Sequence, residues 1–419
     1  MADMKALRNS ACVVGVDESD EIGTLPGKSQ LTLHLEAVTN AVRDAGLKVS
    51  DVDGIFTAGQ HSPALLGEAL GISPRYVDGT TVGGCSFIIM VGHAVAALHH
   101  GLCDVAVISH GESGRSGVGV SPRRDTSLTG QFEAPFGFGG APTLFGMITT
   151  RHMHEYGTTL EQWAQVAVST RQWAMRNPKA ARREPITVAD VLGSRPVVYP
   201  FNLLNICLVT DAGGAVVLTR ADRAKDCAKR PVYVRGVGEG TEHVMLTQMK
   251  DLTFSEATRL AGEKAFRMAG VGPHDFDHIM LYDAFTSGPP IMLESLGIAK
   301  RGEGVRHFAE GRSTPTGAAS PTPTRGCTAS SRSSRRRVSC AASAASVRCR
   351  ARSSRSSTAW AACSPPQARW SCRASAARSH RPALDTPAIV CFDGSGWSSG
   401  RLPSAVSTER GARASWLRR

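Results

Sequence analysis

Apolar positions in the first 311 residues fall into short blocks separated by Gly, Asp and Pro. Val13 to Val16 is an apolar run that reads as a buried strand. From about Leu31 to Asp44 the spacing becomes helical, and Gly46 stands where a left-handed C-cap is wanted. Asp53 to Thr57 begins the next strand. Gly83 and Gly84 lead into a helix through Leu98 that ends at Gly101, and Asp104 to Ser109 is a strand of the Val-Ala-Val-Ile kind. Thr158 with Glu161 fits a capping box ahead of Leu160, Trp163, Ala164, Ala167 and Ala174, which keep helical spacing. Asp211-Ala-Gly-Gly turns into a short apolar strand, Ala215 to Thr219. Strands alternating with helices predict an α/β protein with parallel-rich sheets covered by helices.

The pattern occurs twice. Without a gap, Ala41, Arg43, Ala45, Gly46, Asp51, Asp53 and Ile55 match Ala265, Arg267, Ala269, Gly270, Asp275, Asp277 and Ile279. The strand Ala11 to Val16 closes on Gly-Val, as does Val232 to Val237. A unit of roughly 220 residues is far beyond the 20–50 of a solenoid repeat. It predicts two related halves, with 1–225 as the first, 226–312 as the start of an incomplete second, and 313–419 as a tail.

Composition separates that tail from the body. The chain carries +12, but from Arg312 onward there are 19 Arg, no Lys and three acidic residues (Asp385, Asp393, Glu409), or +16, which leaves −4 for residues 1–311. The body therefore reads as a mildly acidic protein long enough for a sizeable core. It has no apolar run of 18 residues and opens without a signal peptide, so a cytoplasmic location is expected. Its five cysteines (Cys12, Cys85, Cys103, Cys207, Cys227) are scattered, with neither disulfide-framework nor zinc spacing. No metal is expected.

Two stretches invite chemistry. Phe132 to Phe145 is aromatic and Gly-rich; it either lines an apolar pocket or packs at a subunit interface. His152 and His154 lie near Glu155, but residues two apart do not share a helix face, so both read as surface histidines.

Read in order, Asp-Ala-Gly-Leu, Asp-Val-Asp-Gly, a Gly-Gly-Cys entering a helix, Met153-His-Glu-Tyr-Gly-Thr-Thr, Val209-Thr-Asp-Ala-Gly-Gly-Ala and Tyr282-Asp-Ala-Phe-Thr resemble the thiolase superfamily over about residues 8–312. The branch they resemble is that of the lipid-transfer proteins related to sterol-carrier-protein thiolases and acetyl-CoA acetyltransferases. The resemblance implies the αβαβα thiolase fold, a homodimer, acyl-CoA thioesters as substrates with no bound cofactor, and a small partner protein combining a zinc ribbon and an OB-fold. No nucleic-acid or membrane partner is expected, since the body has neither a basic face nor an apolar run of 18 residues. Thiolases hold a cysteine at a helix N-terminus, where the macrodipole and free N–H groups favour the thiolate. Cys85 sits at that junction, yet its spacing to Gly101 is one residue short, which puts Gly84 at the nucleophile position. Cys85 is thus either the nucleophile or a small buried residue. At 282, related sterol-carrier thiolases have His-Asp-Cys-Phe and others Asn-Glu-Ala-Phe; this chain has Tyr-Asp-Ala-Phe. Members with tyrosine here include aldolases that cleave steroid side chains. A tyrosine could donate or take a proton, and base work would need its pKa of about 10 lowered. The candidate catalytic residues are Cys85, Tyr282 and Asp283. The alternative is a non-catalytic acyl-CoA or lipid-binding subunit.

Past Thr314 the family's Asn-rich turn, His-Pro-Gly and His-Gly-x-Gly-Gly segments are missing. A Ser/Arg/Ala/Pro mixture replaces them, and its composition predicts an irregular tail. Shifted by one base, Ser320 to Ser331 recodes to Leu-Ser-Tyr-Thr-His-Pro-Gly-Met-Tyr-Gly-Leu-Phe, and Arg355 to Ser364 to Ala-Ile-Val-His-Gly-Met-Gly-Gly-Val-Leu. Ser339 to Arg348 becomes a plausible amphipathic helix. A frameshift near Pro315 to Ala318 accounts for all three and would leave this copy inactive or nearly so. Nucleic-acid binding by Arg335-Arg-Arg and its neighbours ranks low, because the body has no basic face to support it.

Overall fold

The computed structural model describes residues 4–58, 61–119, 127–243 and 245–309 and, as strands only, 337–340, 346–349 and 386–389. Its elements are β1 (Ala11–Glu18), α1 (Gln30–Asp44), β2 (Gly54–Thr57), α2 (Pro63–Leu70), β3 (Tyr76–Gly79), α3 (Ser86–His99), β4 (Val105–Ser113), α4 (Leu128–Phe132), α5 (Ala141–Tyr156), α6 (Leu160–Ala174), α7 (Val188–Gly193), β5 (Pro196–Val198), β6 (Phe201–Asn202), β7 (Asp211–Arg220), β8 (Val232–Tyr233), α8 (Glu256–Ala269), β9 (Phe276–Leu281), α9 (Gly288–Ser295), α10 (Arg306–Ala309), β10 (Arg337–Cys340), β11 (Ser346–Cys349) and β12 (Thr386–Ile389).

The first sheet has the order β3-β2-β4-β7-β1-β8. Strands β3, β2 and β4 are parallel, and β7 runs against both β4 and β1. Side chains alternate across β4. Val105 and Val107 face α1 with Val38 and Ala41, whereas Ala106 and Ile108 face α3 with Ile88, Val91 and Val95. Helix α3 is mostly apolar because the sheet covers one side and Val237 and Met268 of the second half meet it from elsewhere, and His93 marks its polar side.

The duplication appears as repeated geometry. Gly15 of β1 seats against α1, where a Cβ would run into the Ala41 carbonyl and Ala45. At the matching place Gly236 seats against the Ala265 carbonyl and Ala269 of α8. Gly46 and Gly270 end the two helices at φ 75° and 69°. Asp51 then accepts from the Lys48 N–H at 2.8 Å, and Asp275 from the Gly272 N–H at 2.9 Å. The matched strand is the exception: β8 spans two residues and pairs with β1 of the first sheet rather than holding β1's place in a second one. Gly15→Ala and Gly236→Ala are each expected to cost about 1–3 kcal/mol, since helix and strand must separate. Denaturant midpoints check this, and an unshifted midpoint for both would refute the close seating.

Two details correct the sequence reading. His152 is fully buried, with Nε2 3.4 Å from both Glu294 carboxylate oxygens and Nδ1 3.1 Å from Thr158 Oγ1; only His154 is exposed. The capping box belongs to Thr159 and Gln162, one residue later, because His152 holds the Thr158 hydroxyl. Beyond the body, three four-residue strands join β9: β10 runs parallel to it, β11 antiparallel to it, and β12 lies beside β11. Strand β9 has Phe276, Ile279 and Leu281 buried, and its backbone needs partners on both edges. The rest of the tail, with the segments that recode in the shifted frame, lies outside the described residues apart from those strands.

Candidate functional site

Tyr282 follows the last residue of β9. Its segment is fixed by pairing with the stretch before β7: the Cys207 N–H donates to the Ala284 carbonyl at 2.9 Å, and the Thr286 N–H to the Asn205 carbonyl at 3.0 Å. Phe285 stacks on Phe145 of α5 at 4.6 Å and on Phe201 at 5.4 Å. The aromatic stretch 132–145 therefore divides. Phe145 turns in toward this segment, while Phe136 is 90% exposed.

The start of α3 meets Tyr282. A Cβ on Gly84 would lie 2.5–2.7 Å from the ring carbons and hydroxyl of Tyr282. The tyrosine thus fills the space that a side chain at 84 would need, and glycine there is a steric requirement. Cys85, the next residue and N-cap of α3, points its thiol at the Val82 carbonyl, 3.7 Å away, and lies in the core cluster with Phe56 and Ile88. Asp283 is buried behind Tyr282.

The phenol is electrostatically confined. Burial first, then the neighbouring Cys207, Asp283, Cys85 and Glu112, push its pKa well above the ordinary tyrosine value. Base work would require the opposite shift, so the site favours a neutral hydroxyl that donates. Cys207 beside it is pushed up to about 12, by burial and then by Asp283, which makes it a poor nucleophile.

Glu112 and His110 were not singled out by sequence reasoning. Both lie on the α3-facing row of β4, after Ala106 and Ile108. His110 Nε2 is 3.4 Å from Glu112 Oε1, and its ring packs on Phe87 of α3 at 4.6 Å. This contact with His110 holds the Glu112 carboxyl below its usual range. On the other face, Ser109 Oγ is 2.9 Å from His34 Nδ1, and burial lowers that imidazole to about 3, so it stays neutral. The available signal was a strand row that turns polar as His-Gly-Glu just where the facing helix begins. Among the described residues no cluster of three or more His, Cys, Asp or Glu could hold a metal, and no helix is long and apolar enough to cross a membrane.

Comparison places this geometry among known proteins. Residues 238–348 match the family model "Thiolase C-terminal domain-like". The chain is 33% identical over 324 residues to the steroid side-chain-cleaving aldolase of Thermomonospora curvata, covering 74% of this chain and 83% of that protein. It is 30% identical over 308 residues to the acetyl-CoA acetyltransferase of Methanothermobacter thermautotrophicus, covering 71% and 80%. A solved structure described as the Ltp2-ChsH2(DUF35) aldolase superimposes with a TM-score of 0.68 at 31% identity, over 73% of this chain and 81% of that one.

Proposed function

The chain belongs to the thiolase superfamily, and on that basis we propose that it is built to cleave a β-hydroxyacyl-CoA thioester between Cα and Cβ by retro-aldol chemistry. The observation that carries this reading is the placement of the Tyr282 phenol in the space beside Gly84 at the start of α3. With Gly84 there, that position offers no thiol for acyl transfer, whereas a neutral phenol suits an enolate oxygen or carbon that needs a proton. Cys85, turned into the core, serves as a small buried residue. Similarity to a steroid side-chain-cleaving aldolase favours the same class of chemistry.

Several further features belong to this reading. The substrate is a coenzyme A thioester, and the protein itself carries no bound cofactor. The halves divide near residues 225 and 312. The protein works in the cytoplasm as a homodimer with a small zinc-ribbon and OB-fold partner, a pairing supported by the DUF35 component in the similar aldolase structure. The coding frame shifts near Pro315 to Ala318, which removes the two histidine-bearing segments from this copy. The family match runs on to Arg348, beyond that point, so the frame needs a direct test.

The test compares the 419-residue chain with a frame-restored chain, each with its partner, on β-hydroxyacyl-CoA and β-ketoacyl-CoA. The restored chain is expected to cleave the β-hydroxyacyl substrate, and Cys85→Ala is expected to keep that activity within a few-fold. The unrestored chain is expected to be slower by about 10²–10⁴-fold, the usual cost of a lost acid, base or oxyanion donor. Equal turnover by both chains would reject the frameshift. Preference for β-ketoacyl-CoA, abolished by Cys85→Ala, would replace retro-aldol cleavage with thiolysis.

A further inference from the structure

A retro-aldol cleavage needs two proton-handling groups, and Tyr282 is suited to only one of the tasks. The hydroxyl proton on Cβ must go to a base, and the enolate left on Cα must receive a proton. A partly buried phenol with a raised pKa fits the second task and fails the first.

The row Ala106, Ile108, His110, Glu112 on β4 faces α3, and its polar members lie where the helix starts. Gly84, against Tyr282, and Phe87, against His110, are three residues apart, so Tyr282 and His110 flank the same opening turn of α3. Glu112 is the next residue of the row, two positions beyond His110 on the same face of β4. Its side chain is 46% exposed, so a substrate can reach it, and its Oε2 borders the turn at Gly114. His110 Nε2 meets the carboxylate, and His110 Nδ1 is buried with no hydrogen-bond partner among the described residues.

From this geometry we propose that Glu112 is the base of the reaction, held in place by His110, with Tyr282 as the acid; the proposal rests on the retro-aldol reading. The Glu112 carboxylate takes the β-hydroxyl proton. The oxygen pair forms the new carbonyl as the Cα–Cβ bond breaks, and the electrons of that bond pass to Cα and the thioester oxygen. Tyr282 gives its proton to Cα, and protonated Glu112 returns one to the phenolate. The products are a ketone or aldehyde and a shortened acyl-CoA. Both side chains end as they began, and no oxidant or reductant enters. His110 is a positioning residue.

A trans-2,3-epoxyacyl-CoA tests this on the 419-residue chain without requiring turnover, because it sets an electrophilic carbon and an oxygen where the substrate has its β-hydroxyl. Intact-mass measurement and peptide mapping are expected to show one ester per chain, on Glu112. The label should be absent in Glu112→Gln and blocked by excess unreactive acyl-CoA. The labelling rate should rise with pH as Glu112 ionises, and in His110→Gln the midpoint of that rise should move upward. Label on another residue, or none although calorimetry shows that the unreactive acyl-CoA binds, would overturn the assignment of Glu112 while leaving the acyl-CoA reading intact. An unmoved midpoint in His110→Gln would remove its positioning role. If no acyl-CoA binds at all, the acyl-CoA reading fails and this proposal fails with it.

Discussion

Tyr282→Phe is expected to lower β-hydroxyacyl-CoA cleavage by the frame-restored chain about 10²–10⁴-fold in kcat, with little change in KM. The phenylalanine ring still fills the space beside Gly84, and the pairing of residues 205–207 with 284–286 is untouched. Folding should therefore be preserved within about 1 kcal/mol. The substitution removes one O–H, so the lost rate reports proton donation rather than packing. Because the phenol stays protonated across the working range, the pH–rate profile should show no fall on the alkaline side attributable to Tyr282 below pH about 10. A variant within threefold of the parent rate would end the case for Tyr282 as the acid.

The largest structural loss is expected at Asp211. This residue opens β7 and is fully buried. Its carboxylate accepts N–H bonds from Leu25 at 2.7 Å, Arg115 at 2.7 Å and Ser116 at 2.9 Å. Burial works against the charge, but those backbone donors outweigh it and hold the carboxyl below its ordinary pKa. Asp211→Ala leaves the Leu25, Arg115 and Ser116 N–H groups without their shared acceptor and should cost about 3–5 kcal/mol, read from denaturant midpoints. The sign of the pH effect follows from the lowered value. The stabilisation is complete above the unfolded pKa of about 4 and disappears as pH falls through the lower folded value. Asp211→Asn should therefore flatten the acid side of the stability curve. A midpoint within 1 kcal/mol of the parent would mean that water or a rearranged turn satisfies these groups.

Local chemistry made much of the fold readable. Ala41, Ala45 and Gly46 recur as Ala265, Ala269 and Gly270 because each helix must expose a carbonyl to a glycine and then stop. What stayed hidden depends on partners distant in the chain. His152 looks like a surface residue until Glu294, 142 positions away, closes over it. Tyr282 stood out through its motif, but the direction of its pKa shift comes from burial and from Cys207, Asp283, Cys85 and Glu112, which no spacing rule brings together. Glu112 lacked even a motif, since one carboxylate ending a strand is ordinary until the facing helix is in place.

The short strand β8 sets a limit on how this gene can be cut. The Asn9 N–H donates to the Val234 carbonyl at 2.9 Å, and the Val234 N–H to the Ala11 carbonyl at 3.0 Å, so the opening of the second repeat is sewn onto the first strand of the first. A fragment ending at Arg220 would expose that strand edge as a template for adhesion between copies. The two repeats share their local geometry but are not separable modules, and recombination at their boundary would break the seam that joins them.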